Sequence, residues 1–542
     1  MWEAAAAEAR RMAMAAAVGG QPDGAAGPGR GYRLRGRLWL LGPLALYALL
    51  RVPAFLEPYW YTDEAGYVTS ARALLQGRVL YSQIWTNKPP LQLWTVAAVI
   101  QTLGTSEAAL HVLPFLSGFA TLFAVAYAGN RLLGRRRTVV ALVLAAIVLG
   151  TPVFDAELLL PESLLIAPLT WAGALLLTRA AAPNTRRWPL WPIAVGALVA
   201  VAVGYQQTAL AETCAFGLIL AIAGSASWRR VAVYAATVAG LTSVWLVPAI
   251  VTAGAGTVGF ALVGFWVGFA QWHLGAGSPG IWLHLALPLV ALVVVLAAAW
   301  AQRRDRNLAW GLWVWAVAAL MVPALAHVPY PHYLEASIAP GAMALSSLRL
   351  RWPAGVPLPR RVAGAGLLLA AGLAALSAYA AGMDWPPILG QGDHTLAYYY
   401  GGAISTLTRG QSLVAYQAHF DYRVPEDRAV AAWISAHGLD GSSAVVWSSD
   451  AWLYDLDDLQ LLLPTPPIYN DETLVGSDGP LARKVADLAP EIVVTEGASR
   501  AAWPEINAVL ASDYQAVDQS GTEIVWLRSG LVAAVMGPTG PG

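Results

Sequence analysis

Residues 59–91 read YWYTDEAGYVTSARALLQGRVLYSQIWTNKPPL. This is the first polar stretch after the first long apolar run. It holds an acidic pair, Asp63-Glu64, and then a lysine, Lys88, followed by Pro89-Pro90. Tyr67, Ala71, Leu74 and Leu75 recur at helical spacing, so a short helix lying along a membrane surface is expected here. Pro89-Pro90 suits the first turn of a further helix over residues 91–103. That helix is too short for a comfortable crossing, which needs roughly 20 residues.

What flanks this stretch is mostly apolar. The 542 residues are 57% hydrophobic and only 12% charged, with a mean hydropathy of +0.54. Soluble domains carry about 25% charged residues, so the chain reads as a multi-pass membrane protein. Formal net charge is zero and no basic stripe appears, which argues against a nucleic-acid partner. The single cysteine, Cys214, excludes an intrachain disulfide and a Cys-based zinc site. Lys88 and Lys484 are the only lysines; every other strongly basic residue is arginine. A lysine is a compact, mobile point charge that suits a phosphate. The alternative is a lysine snorkelling to the interface.

Residues 1–37 are expected to form a disordered cytoplasmic tail. Arg30, Arg33, Arg35 and Arg37 precede the first span, 38–56, and the positive-inside rule places 59–91 on the outer side. Further apolar runs cover 108–133, 138–154, 159–181, 190–204, 208–224, 230–252, 281–301, 308–326, 333–349 and 361–381. The pair 190–204 and 208–224 is short enough to be one broken helix. If 91–103 stays outside, the basic groups at 135–137, 186–187, 229–230, 303–306 and 349–361 all fall inside. This implies about eleven crossings, with the N-terminus in the cytoplasm and the C-terminal domain outside the plasma membrane. Residues 252–280, rich in Gly, Phe and Trp, read as an amphipathic surface segment. A transmembrane domain over 38–382 with an outer loop at 57–107 is thus followed by a small extracytoplasmic α/β domain over 383–530 and a short tail, 531–542. Within that domain 425–437 reads as a helix, and 443–448, 491–495 and 523–527 read as buried strands.

Three constellations carry chemistry. Asp63-Glu64 lies just past the first span, where a carboxylate needs a purpose or a partner; the plain alternative is a loop acid at a helix start. Asp155, Glu157 and Glu162 fall at the outer end of two spans. They are placed to bind a divalent metal together with Asp63 or Glu64, to orient hydroxyls, or simply to shape a turn. His332 and Tyr333, with Glu335, lie at another outer end, where aromatics also serve as interfacial anchors. No HExxH, P-loop, GxGxxG or GxSxG occurs in a usable context.

The spaced set Asp63-Glu64-Ala65-x-Tyr67, Ala71-x-x-Leu74-x-x-Gly77 and Lys88-Pro89-Pro90-Leu91 resembles the C-type membrane glycosyltransferases (GT-C fold), in their protein mannosyltransferase and aminoarabinose transferase branch. Residues 132–136, Pro161-Glu162-Ser163-Leu164 and His332-Tyr333-Leu334 with Pro340 support the resemblance, which runs from about Leu38 to Leu350. It implies transfer of a sugar from a polyprenyl-phosphate donor to an extracytoplasmic acceptor, be it a glycolipid, a cell-wall glycan or a protein. Asp63 would be the general base with Glu64 its neighbour, Lys88 would contact the lipid phosphate, and Tyr67, His332 and Tyr333 would contact substrate. Two departures matter. Asn87 stands where the aminoarabinose branch has an acid associated with metal, so the resemblance leaves a divalent metal open. Tyr205-Gln206-Gln207-Thr208 lacks the lysine that relatives often have before a Gln-Thr-like pair. A transporter or lipid flippase is the alternative. Transporters place ionisable residues near the bilayer midplane, whereas here the acids cluster at outer ends.

Overall fold

The computed structural model of the chain describes residues 38–180, 189–223, 227–268, 309–326, 330–348, 396–448, 450–466 and 480–537. The expected tail 1–37, the expected spans 281–301 and 361–381, the basic groups at 186–187, 303–306 and 349–361, and residues 269–280 lie outside them.

The apolar runs that are described fold as helices. They are α1 (Leu41–Leu50), α4 (Glu107–Leu132), α5 (Arg135–Gly150), α6 (Pro161–Ala180), α7 (Leu190–Tyr205), α8 (Leu210–Ile222), α9 (Ser227–Ala253), α10 (Ala309–Ala326) and α11 (Glu335–Ser347). The polar stretch contributes α2 (Thr62–Leu75) and α3 (Pro90–Leu103). Among the described residues, Leu38–Leu56, Glu107–Leu132, Pro161–Ala180 and Trp228–Ala253 are long and apolar enough to cross a membrane. α3 and α7 are apolar but shorter. α7 and α8 are separated by an extended residue, Gln206, and the single turn Gln207–Ala209, so 190–222 is an interrupted helix. Helices pack closely through small residues. A Cβ added to Gly173 of α6 would meet the Trp315 ring of α10 at 2.5 Å.

The C-terminal region holds α12 (Leu396–Leu407) and α13 (Arg423–Ala436), followed by strands β1 (Ser443–Trp447), β2 (Gln460–Leu461), β3 (Ile492–Glu496), β4 (Tyr514–Ser520) and β5 (Glu523–Arg528). The sheet order is β2-β1-β3-β5-β4, parallel across β2-β1-β3 and antiparallel from there on. Side chains alternate across a strand. Ala444, Val446, Ile492 and Val494 therefore face one core, while Val445, Trp447 and Val493 face another. β4, with the polar sequence YQAVDQS, is a strand that the hydrophobic pattern did not announce, because it pairs only with β5 and stays largely exposed. α12 docks on the membrane body, where the Tyr400 hydroxyl donates to the carbonyl of Leu50 at 3.1 Å.

α2 departs from its expected place on a membrane surface. Every residue from Glu64 to Ala71 is buried, whereas Leu75, expected on the apolar face, is 46% exposed. The C-terminal region covers the helix. Thr69 Oγ1 donates to Asp455 Oδ2 at 2.9 Å, and Arg72 Nη1 to Asp455 Oδ1 at 2.8 Å. Further along, the Trp85 N–H donates to the carbonyl of Pro464 at 2.8 Å. One apolar cluster runs without interruption from Ala65 and Val68 on α2, through Leu93 and Val96 on α3, to Trp452, Ile492 and Val525 in the C-terminal region.

Candidate active site

Asp63 and Glu64 form the first turn of α2, where carboxylates suit the exposed N–H groups of a helix start. Consecutive helical residues point about 100° apart, and the two acids diverge. Glu64 is 2% exposed and its Oε1 accepts the N–H of Leu159 at 2.7 Å, while Oε2 lies 3.9 Å from His111 Nε2. Asp63 stays half-buried and its charge bears on Tyr61, Asp155, Tyr330 and Tyr333.

Asp155 sits between α5 and α6 in the left-handed region, at φ 55°. A non-glycine residue seldom takes that conformation, and it is worth attention near other polar groups. Asp155 Oδ2 is 3.3 Å from His332 Nδ1, which is itself 3.2 Å from the Tyr61 hydroxyl. Burial pushes the Asp155 carboxyl up, the contact with His332 opposes the rise, and the charges of Glu162 and Asp63 add to it. Glu162, at the start of α6, is buried and accepts Gln206 Nε2 at 2.7 Å. Asp63, Asp155, Glu162, His332 and Tyr333 thus border one site.

Glu157 does not join it. Two residues beyond Asp155, it turns to the opposite side and pairs with Arg51 at 3.3 Å, with both side chains at most 2% exposed. Arg51 also donates to the carbonyl of Ala156 at 2.6 Å. Glu57, wholly buried beside this pair, accepts the Tyr399 hydroxyl at 2.5 Å and Trp60 Nε1 at 3.1 Å; burial pushes its carboxyl up. Among the described residues no three His, Cys, Asp or Glu side chains converge to hold a metal. The expected joint metal site of Asp155, Glu157 and Glu162 with Asp63 or Glu64 is therefore not assembled, because Glu157 and Glu64 are turned away to Arg51 and to Leu159 and His111.

Lys88 is buried, at 4% exposure, rather than snorkelling. Its Nζ lies 5.0 Å from the centroid of Trp266 and 6.0 Å from that of Tyr333. Aromatic faces attract an ammonium, the more so when it is desolvated. Among the described residues no carboxylate forms an ion pair with it. Tyr333 is the common neighbour of Lys88 and Asp63. Tyr67 is buried, 8% exposed, in the cluster joining α2 to the C-terminal region.

Sequence reasoning missed Arg51, Glu57, Tyr61 and Trp266. Arg51 carried a signal. It is the one charge inside the apolar stretch Leu38–Leu56, and such a residue has a partner by default. Trp266 carried none, being one of 24 tryptophans.

By sequence the chain matches no family model and no curated protein. By structure it is similar to ArnT from Cupriavidus metallidurans bound to undecaprenyl phosphate, with a TM-score of 0.59 and 17% identity over 95% of this chain and 100% of that one. The apo state of the same protein gives a TM-score of 0.58 and 17% identity, covering 94% and 100%. The chain therefore shares the fold of that ArnT, mostly helical with a small C-terminal sheet.

Proposed function

We propose that this chain is an integral-membrane glycosyltransferase that moves a sugar from a polyprenyl-phosphate donor to an extracytoplasmic acceptor. The observation that carries the reading is a buried lysine, Lys88, with its ammonium 6.0 Å from the Tyr333 ring, and a carboxylate, Asp63, whose charge bears on the same tyrosine. An acceptor hydroxyl is far too weak an acid to ionise at neutral pH, so attack on the anomeric carbon gains from a base within reach. Asp63 takes that proton as the new carbon–oxygen bond forms. The bond from the anomeric carbon to the phosphate oxygen breaks, and the lipid phosphate leaves as an anion beside Lys88. A single displacement inverts the anomeric centre. A two-step path would need a carboxylate as nucleophile; in this reading Asp155 and Glu162 serve the acceptor, and Glu64 is engaged with Leu159.

In this reading Asp155 and Glu162 orient acceptor hydroxyls, and His332, Tyr333 and Tyr67 shape the sugar pocket. The undecaprenyl phosphate bound to ArnT supports a lipid-phosphate donor here. Eleven crossings, a cytoplasmic N-terminus and an extracytoplasmic C-terminal domain complete the proposal. The test is purified full-length protein with a panel of radiolabelled polyprenyl-phosphate sugars. Release of label from one or more lipids is expected; none released from any, in the presence of candidate acceptors, would count against it.

A further inference from the structure

Residues 86–88 run into Pro89-Pro90, and a proline has no N–H to donate. Buried carbonyls still need donors, and here side chains supply them. The Asn87 carbonyl accepts Gln207 Nε2 at 2.9 Å and Trp266 Nε1 at 3.2 Å. The Lys88 carbonyl accepts the Tyr81 hydroxyl at 2.7 Å. These two carbonyls belong to the peptide planes on either side of the Lys88 Cα. Each plane is rigid, so holding both fixes the backbone dihedrals of Lys88 and the direction in which its side chain leaves.

Each donor is itself held. Gln207 lies at the break between α7 and α8 and also donates to the carbonyl of Leu262 at 3.3 Å. Trp266 serves twice, its N–H on Asn87 and its ring 5.0 Å from the Lys88 ammonium. Tyr81 is 3% exposed and has φ 65°, with its N–H bonded to the carbonyl of Ile84 at 2.6 Å. Such a conformation persists in a bulky residue only where the surroundings over-determine it.

We propose that Gln207 and Tyr81 are positioning residues for Lys88, fixing its backbone so that the ammonium is pre-aimed at a phosphate. This rests on the reading of Lys88 as the donor-phosphate contact. A lysine stem has several rotatable bonds, and ordering them at the moment of binding lowers affinity. Gln207 and Tyr81 act through the lysine, so their effect vanishes when the ammonium is gone.

The experiment measures binding of undecaprenyl phosphate, and of undecaprenol as the phosphate-free control, to full-length protein in detergent. The variants are Lys88→Ala, Gln207→Ala, Gln207→Met, Tyr81→Phe and their doubles with Lys88→Ala. Tyr81→Phe removes only the hydroxyl, and Gln207→Met keeps the length of the side chain while removing its amide, including the bond to Leu262. Each single change at 207 or 81 is expected to weaken undecaprenyl phosphate binding about 3- to 10-fold, the worth of one hydrogen bond, and to leave undecaprenol binding unchanged. In the Lys88→Ala background the same changes should have no further effect. Additive losses in that background, or equal loss of undecaprenol binding, would mean a merely structural role and overturn the proposal. Wild-type binding by Gln207→Met and Tyr81→Phe while Lys88→Ala binds weakly would overturn the positioning alone. Wild-type binding by Lys88→Ala would remove the phosphate reading beneath it.

Discussion

Two buried polar groups adjoin at the first turn of α2. On one side Asp63, Asp155 and Glu162 share a site with His332, Tyr333 and the Lys88 ammonium. Carboxylates have partners on both sides: Asp155 meets His332 and Glu162 accepts Gln206 on the first, while on the second Glu64 accepts the N–H of Leu159, Glu157 pairs with Arg51, and Glu57 accepts Tyr399 and Trp60. Both sides are rich in acids and both are buried. They differ in what the charges meet. The second side is closed on itself and ties α1, α2 and the 155–160 segment together. The first meets a cation that no described carboxylate neutralises. Density of acids therefore does not distinguish the two sides; the buried Lys88 ammonium, in no ion pair with a carboxylate among the described residues, does.

The strongest way to break this comparison is Asp63→Asn, which keeps the shape and removes the base. Turnover is expected to fall by roughly 10²–10⁴-fold, with undecaprenyl phosphate binding and thermal midpoint near wild type. Glu64→Gln should keep most of its turnover. If Asp63→Asn transfers sugar at the wild-type rate and Glu64→Gln is dead, the two sides exchange roles. If both are fully active, Asp155 and Glu162 become the next candidates.

The closed side is probed by stability. Arg51→Met strands Glu157 in a buried place and should destabilise the protein by about 3–5 kcal/mol, read from thermal unfolding in detergent. Arg51→Met with Glu157→Leu should recover most of that loss, since no unpaired charge then remains buried. Equal instability of the single and double variants would mean that packing, not charge, is what Arg51 supplies.

Lys88→Ala sharpens the open side. Loss of a charge-assisted contact is expected to weaken undecaprenyl phosphate binding by about 1.5–3 kcal/mol, with Lys88→Arg recovering only part because its fork is planar. Unchanged thermal stability would separate this lysine from Arg51.

The far end of α2 gives a control outside both groups. Burial pushes the Asp455 carboxyl up to about 6, against the opposing pull of Arg72 and Thr69. A carboxyl raised in the folded state stabilises fully below its unfolded value near 3.8, and that contribution is lost as pH rises through about 6. The thermal midpoint should therefore drift down from pH 4 to 6. Asp455→Asn should flatten that segment without touching the Asp63 phenotype. A profile identical in wild type and Asp455→Asn would show that Asp455 titrates normally.

Much of the fold was legible because a helix in an apolar setting satisfies its own backbone. A run such as 108–133 therefore announced α4 (Glu107–Leu132) within a residue or so. Strands buried on both faces were legible for a similar reason, since SAVVW and IVVTE are apolar enough to read alone. The sequence also placed Asp63, Lys88, Asp155 and His332 at the ends of such runs. It did not tell Asp155 from Glu157, two residues apart, because that choice belongs to Arg51, 106 positions away from Glu157. Nor did it read α2 as enclosed, since its cover, Asp455, lies 386 positions from Thr69. Periodicity reports what a residue does within its own helix. Burial of a carboxylate, the partner that makes it tolerable and the face left for a ligand depend on contacts between distant segments, and only the packed structure decided those.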